Sequence, residues 1–133
     1  MDSAALTRTD ILTYAKERFG ADPDYPWERT PDCAVLRHKE NRKWYALIMK
    51  VGRARLGLPG EGGIEILNLK CDPVLIGALR ARPGFLPAYH MNKERWITLR
   101  LDGTVSREEG LQLLEMSFAS TQGTWKRAPK QNR

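Results

Sequence analysis

The stretch CAVLRHKENRKWYALIMKV, residues 33–51, decides how the rest of the chain is interpreted. Two runs of strand-forming residues flank a polar segment, KENR at residues 39–42. This arrangement predicts a β-hairpin, and therefore an antiparallel sheet. Side chains alternate between the two faces of a strand. In the second run, one predicted face carries Tyr45, Leu47, Met49 and Val51, and the other carries Trp44, Ala46, Ile48 and Lys50.

A helix is predicted before the hairpin, over TRTDILTYAKERFGA at residues 7–21. Thr9 or Asp10 is expected to cap its start, and Gly20 is expected to end it. Apolar residues recur at helical spacing on one face of this segment, at positions 11, 15 and 19. The next segment, DPDYPWERTPD at residues 22–32, contains three prolines and is predicted to be a surface loop.

Segments after the hairpin alternate between strand and helix patterns. A glycine-rich loop at residues 52–63 leads to a predicted strand, IEILNLKC at residues 64–71, and RWITLRL at residues 95–101 is another. Helices are predicted over PVLIGALRAR at residues 73–82 and REEGLQLLEMSFAS at residues 107–120. Asp72 should cap the first of these with Pro73 at its first position, and Ser106 should form a capping box with Glu109.

The predicted order of elements is α-β-β-β-α-β-α, which is typical of an α+β fold with an antiparallel sheet and helices mainly on one face. The length of 133 residues suits one domain. We assign residues 1–123 to this domain and residues 124–133 to a basic C-terminal tail, for which disorder is expected.

Composition limits the class of protein. No apolar run approaches the ~20 residues of a membrane span, so a cytoplasmic protein without membrane contact is expected. Cys33 and Cys71 are far apart in sequence, which favours reduced thiols. The net charge of +6 favours an anionic partner but does not choose between nucleic acid, phosphorylated metabolites and acidic proteins.

Catalytic, metal and cofactor motifs are weak. The glycine-rich loop lacks the lysine and hydroxyl residue of a P-loop, and the cysteines and histidines show no paired ligand spacing. We therefore expect no metal, no cofactor and no enzymatic activity. The segment PAYHMNKERWITLRLDG, residues 87–103, contains His90 and Asn92, which we expect to pin a loop to the sheet.

Basic residues give the strongest functional signal. From Arg37 to Arg55 there are seven lysines and arginines and one acid, Glu40. Strict alternation would also place seven side chains on one outward sheet surface: Trp44, Lys50, Asn68, Lys70, Trp96, Thr98 and Arg100. Cations neutralise phosphates and indoles stack on bases. The candidate nucleic-acid-binding residues are Arg37, Lys39, Arg42, Lys43, Lys50, Arg53, Arg55, Lys70, Lys93, Trp96 and Arg100.

Three segments resemble the MmcQ/YjbR family of small bacterial proteins: YPWERTPDCAVLRHKENRKWYALIMKV, ILNLKCDPVLIGALRARPGFLPAYHMNKERWITLRLDG and LLEMSF. The resemblance covers roughly residues 9–121. It implies a frataxin-like sandwich of helices on an antiparallel sheet. It also implies DNA binding, by analogy with a double-wing module, and it brings no catalytic residue.

The function expected from these observations is non-enzymatic binding of nucleic acid, most plausibly duplex DNA, through a basic hairpin wing and the sheet face. The alternatives are a small protein-interaction module without a nucleic acid partner, and an enzyme that uses His90. The sequence does not indicate an oligomeric state or a bound sequence.

Overall fold

A computed structural model describes residues 5–123. Three α-helices and five strands form one small domain, and the predicted α+β class is confirmed. The helices are α1 (Arg8–Phe19), α2 (Pro73–Arg80) and α3 (Arg107–Ser120), and a short 3₁₀ turn spans Arg53–Leu56. The strands are β1 (Ala34–Arg37), β2 (Trp44–Gly52), β3 (Gly63–Lys70), β4 (Phe85–Pro87) and β5 (Trp96–Arg100). The predicted basic tail lies outside the described residues.

The strands form one antiparallel sheet in the order β1-β2-β3-β5-β4. The hairpin of β1 and β2 is confirmed. Strand β4 was not predicted, so the order of elements is α-β-β-β-α-β-β-α. It has only three residues, ends in Pro87, and pairs with β5 alone among the described strands. So short a run shows too little alternation to be recognised locally.

All three helices pack on one face of the sheet, in agreement with the predicted arrangement. Ile11 of α1, Ile76 of α2 and Leu114 of α3 belong to the same buried cluster as alternate residues of the central strands, such as Ile48 and Leu67. The opposite face has two smaller apolar clusters that contain no residue of these helices. Loops cover that helix-free face instead. None of the described helices is both long enough and apolar enough to cross a bilayer.

Two predicted helix caps need correction. Helix α1 begins after Thr7, whose hydroxyl accepts a hydrogen bond from the Asp10 backbone N–H, while the Asp10 carboxylate accepts one from the Thr7 N–H. The predicted caps, Thr9 and Asp10, therefore lie inside the first turn. Helix α3 does begin after Ser106, but the Glu109 carboxylate binds Arg82. The cap of α2 by Asp72 and the end of α1 at Gly20 are confirmed.

A bulge at the start of β2 reverses the predicted positions of two aromatic residues. Leu36 pairs with Ala46 and Arg37 pairs with Trp44, so Tyr45 is an extra residue in the ladder. Tyr45 consequently joins Ala46 in the helix-side core, and Trp44 packs with Leu47 on the helix-free face. The prediction, which assumed strict alternation, had placed each of these two rings on the face that the other occupies.

Candidate nucleic-acid interface

The predicted basic residues form two groups at opposite ends of the sheet. One group lies beside the β1–β2 turn: Arg37, Lys39, Arg42, Lys43, Lys70 and Lys93. The other lies toward the far end of β2: Lys50, Arg53, Arg55 and Arg100. Strand β2 has nine residues. Its ends are therefore about 25 Å apart at the usual rise of a strand. The candidate cations of the hairpin and of the sheet face therefore lie in two separate clusters.

The turn between β1 and β2 has a fixed backbone. The His38 N–H donates to the Lys43 carbonyl at 2.9 Å, and the Arg42 N–H donates to the His38 carbonyl at 3.0 Å. The Asn41 side-chain oxygen accepts a bond from the Lys43 N–H at 2.8 Å. Arg42 has a φ of 65°, which directs the chain sharply back into β2. These bonds close the turn without using any charged side chain.

The end of helix α3 anchors this turn to the body of the protein. The Asn41 side-chain amide donates to the Thr121 carbonyl at 2.9 Å, and His38 Nε2 lies 2.8 Å from Thr121 Oγ1. His38 is buried, and this burial lowers the pKa of its imidazole, which stays neutral at pH 7. The turn is thus docked against the end of α3.

The charged side chains of the turn differ in their partners. Arg37 forms an ion pair with Asp24 at 2.6 Å, which neutralises its charge locally. Lys39, Arg42 and Lys43 are exposed, and no described carboxylate lies within ion-pair distance of them. Three of the four predicted wing cations are therefore available to an external anion.

Residues next to the turn extend the positive surface across the sheet. Lys70 pairs with Trp96 across β3 and β5, and its Nζ lies 5.7 Å from the centre of the Trp96 ring. Lys93 is exposed in the segment that leads into β5. Arg95, which the sequence analysis missed, is exposed in the same segment. Its position at the start of the predicted strand, close to Lys93, was the available signal.

The sheet surface that we predicted to stack on bases is not exposed. Trp96 is only 8% exposed, and Asn68 and Thr98 are fully buried. Asn68 bonds Thr98 and donates to the Tyr89 carbonyl at 3.1 Å, while the Tyr89 N–H donates to Thr98 Oγ1 at 2.9 Å. This network holds the loop after β4 over the sheet. The predicted binding surface around Trp96 is therefore covered by that loop.

Two predicted sheet cations also lie elsewhere. Lys50 lies opposite Glu65 of β3, whereas Trp96 lies opposite Lys70 at the other end of β3, so Lys50 is far from Trp96. The Glu65 carboxylate binds Arg8 of α1. Arg100 forms an ion pair with Asp102 at 2.5 Å. That bond, together with Thr104, lowers the pKa of the Asp102 carboxyl although partial burial opposes the shift.

The two polar residues of the 87–103 segment have different roles. Asn92 is structural, as expected: its side chain accepts a bond from the Glu94 N–H at 2.8 Å, and its carbonyl accepts one from the Trp96 N–H at 2.9 Å. His90 is exposed and its ring forms no hydrogen bond with another described residue, which corrects the expectation that His90 pins the loop to the sheet. Its ring stacks on Tyr89 with centroids 3.9 Å apart.

Metal ligands and reactive thiols are not assembled in the described part of the chain. No group of three histidine, cysteine or acidic residues there is arranged to hold a metal ion. Burial raises the pKa of the Cys33 and Cys71 thiols, so both remain protonated near neutral pH. The exposed cations at the turn can bind an anion electrostatically.

Comparison with known proteins places this geometry in a family. The model of the YjbR family matches residues 17–120, which include the hairpin, the turn and all of α3. The chain belongs to the YjbR family. The Bacillus subtilis (strain 168) protein YyaQ, which is described as uncharacterized, is 51% identical over 116 residues, covering 87% of this chain and 98% of YyaQ.

Solved structures of YjbR-like chains agree with the fold. A crystal structure of a Pseudomonas syringae protein has a TM-score of 0.85 and 44% identity, covering 87% of this chain and 99% of that one. A crystal structure of a Deinococcus radiodurans protein has a TM-score of 0.70 and 26% identity, covering 91% of this chain and 82% of that one. The YjbR resemblance found in the sequence is confirmed.

Proposed function

We propose that this YjbR protein is a non-enzymatic DNA-binding protein that contacts the phosphates of a duplex through the β1–β2 turn. The observation that carries the proposal is the set of three exposed cations, Lys39, Arg42 and Lys43, on a rigid turn without a carboxylate partner among the described residues. Binding a phosphate there costs little ordering of the backbone, because the turn is already fixed by α3.

Neighbouring strands extend the same interface. Adjacent strands are separated by about 4.8 Å, so Lys70 and the segment containing Lys93 lie within three strand spacings of the turn. Several phosphates of one duplex can be reached at once. This row of cations supports a backbone contact that is independent of sequence.

Base recognition is a minor part of the proposal. Trp96 is buried, and the docked turn leaves no free ribbon to enter a major groove. The frataxin-like and double-wing labels remain expectations from the resemblance, and a cytoplasmic location remains an expectation from composition. We expect modest sequence preference and strong dependence on salt.

The test compares two triple variants with the same change in charge. Replacing Lys39, Arg42 and Lys43 by Ala removes the proposed interface, whereas replacing Lys50, Arg53 and Arg55 by Ala removes the far cluster. Binding of a fluorescein-labelled duplex is measured by anisotropy at several salt concentrations. Each lost phosphate contact should reduce the log–log salt slope by about 1, so the turn variant should lose about 3. The far-cluster variant should keep most of the wild-type affinity and slope.

Equal affinity and slope for the turn variant and the wild-type protein would remove the turn from the mechanism. A failure of every protein to bind duplex DNA at low salt would favour the alternative, a protein-interaction module. Melting curves must show that both variants remain folded.

A further inference from the structure

A groove of about 900 Å³ opens on the helix-free face of the sheet, away from the β1–β2 turn. Its floor consists of alternate residues of β2: Leu47, Met49 and Val51. One wall is the loop before β1, and the other is the loop after β4. A volume of this order is typical of small-molecule sites, which are mostly apolar with a few polar groups.

Two sequence segments that the DNA-binding proposal does not use meet in this groove. Residues 29–33 of the first loop line it, and so do residues 89–91 of the second. The bulge in β2 contributes as well, because it turns Trp44 into this face. Distant parts of the chain thus converge on one concave surface.

Aromatic rings provide flat walls. Trp27 contacts Trp44 edge to face, with ring centres 5.6 Å apart, and Trp27 remains 38% exposed. On the other side, Tyr89 and His90 stack with an interplanar angle of 18°. His90 has a φ of 60°, an uncommon conformation for a residue other than glycine, and this backbone keeps the ring pair at the groove.

The charged residues of the groove favour an anion. Arg29, Lys50 and Arg55 line it and are exposed, and Asp32 is the only acid among the described residues that line it. No described carboxylate forms an ion pair with either arginine. An arginine offers a planar fork of donors that matches a carboxylate, sulfonate or phosphate.

We propose that this groove binds a planar aromatic small molecule that has one anionic group. The ring system lies against the Trp27 and Tyr89–His90 walls above the Met49 floor, and the anionic group faces Arg55. Methionine adapts its shape to an apolar guest, so the site accepts a class of ligands. The cations of the β1–β2 turn have no part in this site, and the proposal stands or falls independently of DNA binding.

The probe for the test is 8-anilinonaphthalene-1-sulfonate, an anion with a planar naphthalene ring system whose fluorescence rises in apolar sites. The uncharged analogue N-phenyl-1-naphthylamine separates the aromatic contact from the charge. We expect saturable one-to-one binding of the anion to the folded protein. Arg55→Ala should weaken anion binding by about tenfold and leave the neutral probe nearly unchanged, since it removes only a charge-assisted hydrogen bond.

Two further variants complete the design. Trp27→Ala should weaken the binding of both probes, because it removes an aromatic wall and leaves the sheet intact. Arg80→Ala is the matched control: Arg80 is exposed on α2, on the opposite side of the sheet, and its removal changes the net charge equally. It should leave both probes unaffected.

Binding that does not saturate, or that is equal in wild type, Arg55→Ala and Trp27→Ala, would overturn the proposal. Anion binding that falls equally in Arg55→Ala and Arg80→Ala would do the same, because it would reflect net charge and not a site.

Discussion

His38 and Thr121, which are 83 residues apart in sequence, meet in the interior with 2.8 Å between Nε2 and Oγ1. Thr121 also donates through its hydroxyl to the Ser117 carbonyl at 2.8 Å. This contact joins the hairpin turn to the end of α3, and both residues are at most 4% exposed. The position of the exposed turn cations therefore depends on a buried polar contact.

Removal of the Thr121 hydroxyl should destabilise the protein. Thr121→Val preserves the shape of the side chain but leaves the buried imidazole of His38 without this partner. We expect a loss of about 1–3 kcal/mol in the free energy of unfolding, measured by urea denaturation. The control is Thr13→Val on the exposed surface of α1, which should change stability by less than about 0.5 kcal/mol. Equal effects of the two variants would contradict a stabilising role for the contact.

Acidification should weaken the fold through the same histidine. Burial lowers the pKa of His38 in the folded protein, while the unfolded chain keeps a pKa near 6.5. The unfolded state therefore binds the proton more readily. The contribution of neutral His38 to the free energy of unfolding is fully present above pH 6.5 and is lost as the pH falls toward the pKa of the folded state. The melting temperature of the wild-type protein should decrease between pH 7.5 and pH 5.5. His38→Gln, which does not titrate, should show a smaller decrease, and an equal decrease would rule out His38 as the source.

The loop over the helix-free face should depend on Asn68 and not on His90. Asn68→Ala removes a buried amide that bonds Thr98 and the Tyr89 carbonyl, and we expect a loss of about 2–3 kcal/mol. His90→Asn should change stability by less than about 0.5 kcal/mol, because His90 is exposed and Asn tolerates a positive φ. Denaturation curves of both variants test this. A larger loss for His90→Asn would restore the original prediction of a structural histidine.

Two glycines should respond oppositely to alanine. Gly84 has a φ of 91°, and a Cβ there would lie 2.7 Å from Val105 Cγ2, so Gly84→Ala should cost about 2–4 kcal/mol. Gly77 lies in α2 with open space around the position of a Cβ, and Gly77→Ala should stabilise the protein by about 0.5–1 kcal/mol. Melting temperatures should therefore shift in opposite directions. Shifts of the same sign would refute this account of one of the two sites.

Local sequence patterns were sufficient to predict much of the fold. The hairpin followed from two strand-forming runs around a polar tip, and the caps at Asp72 and Gly20 followed from residue types that favour these positions. These features depend on interactions within a few residues. The packing of the helices on one face of the sheet was predicted correctly, because all three helices have an apolar face that must be buried.

Features that depend on distant contacts were missed. The bulge at Tyr45 reflects the packing of its ring against Phe118 of α3, which no local alternation reveals. The cover over Trp96 depends on Asn68, whose partner Tyr89 is 21 residues away. The division of the basic residues into two clusters was also missed. Basic residues that are close in sequence are separated in space by the length of β2.

The bulge in β2 also provides two spectroscopic reporters at adjacent positions. Trp44 contacts Trp27 beside the groove, while Tyr45 contacts Phe19 and His38 beneath the turn, where burial raises the pKa of Tyr45 to about 12. Indole fluorescence can thus monitor one face of the sheet, and the ring resonances of tyrosine can monitor the other. A molecule that binds only one face should change the signal of Trp44 or that of Tyr45 and leave the other signal unchanged.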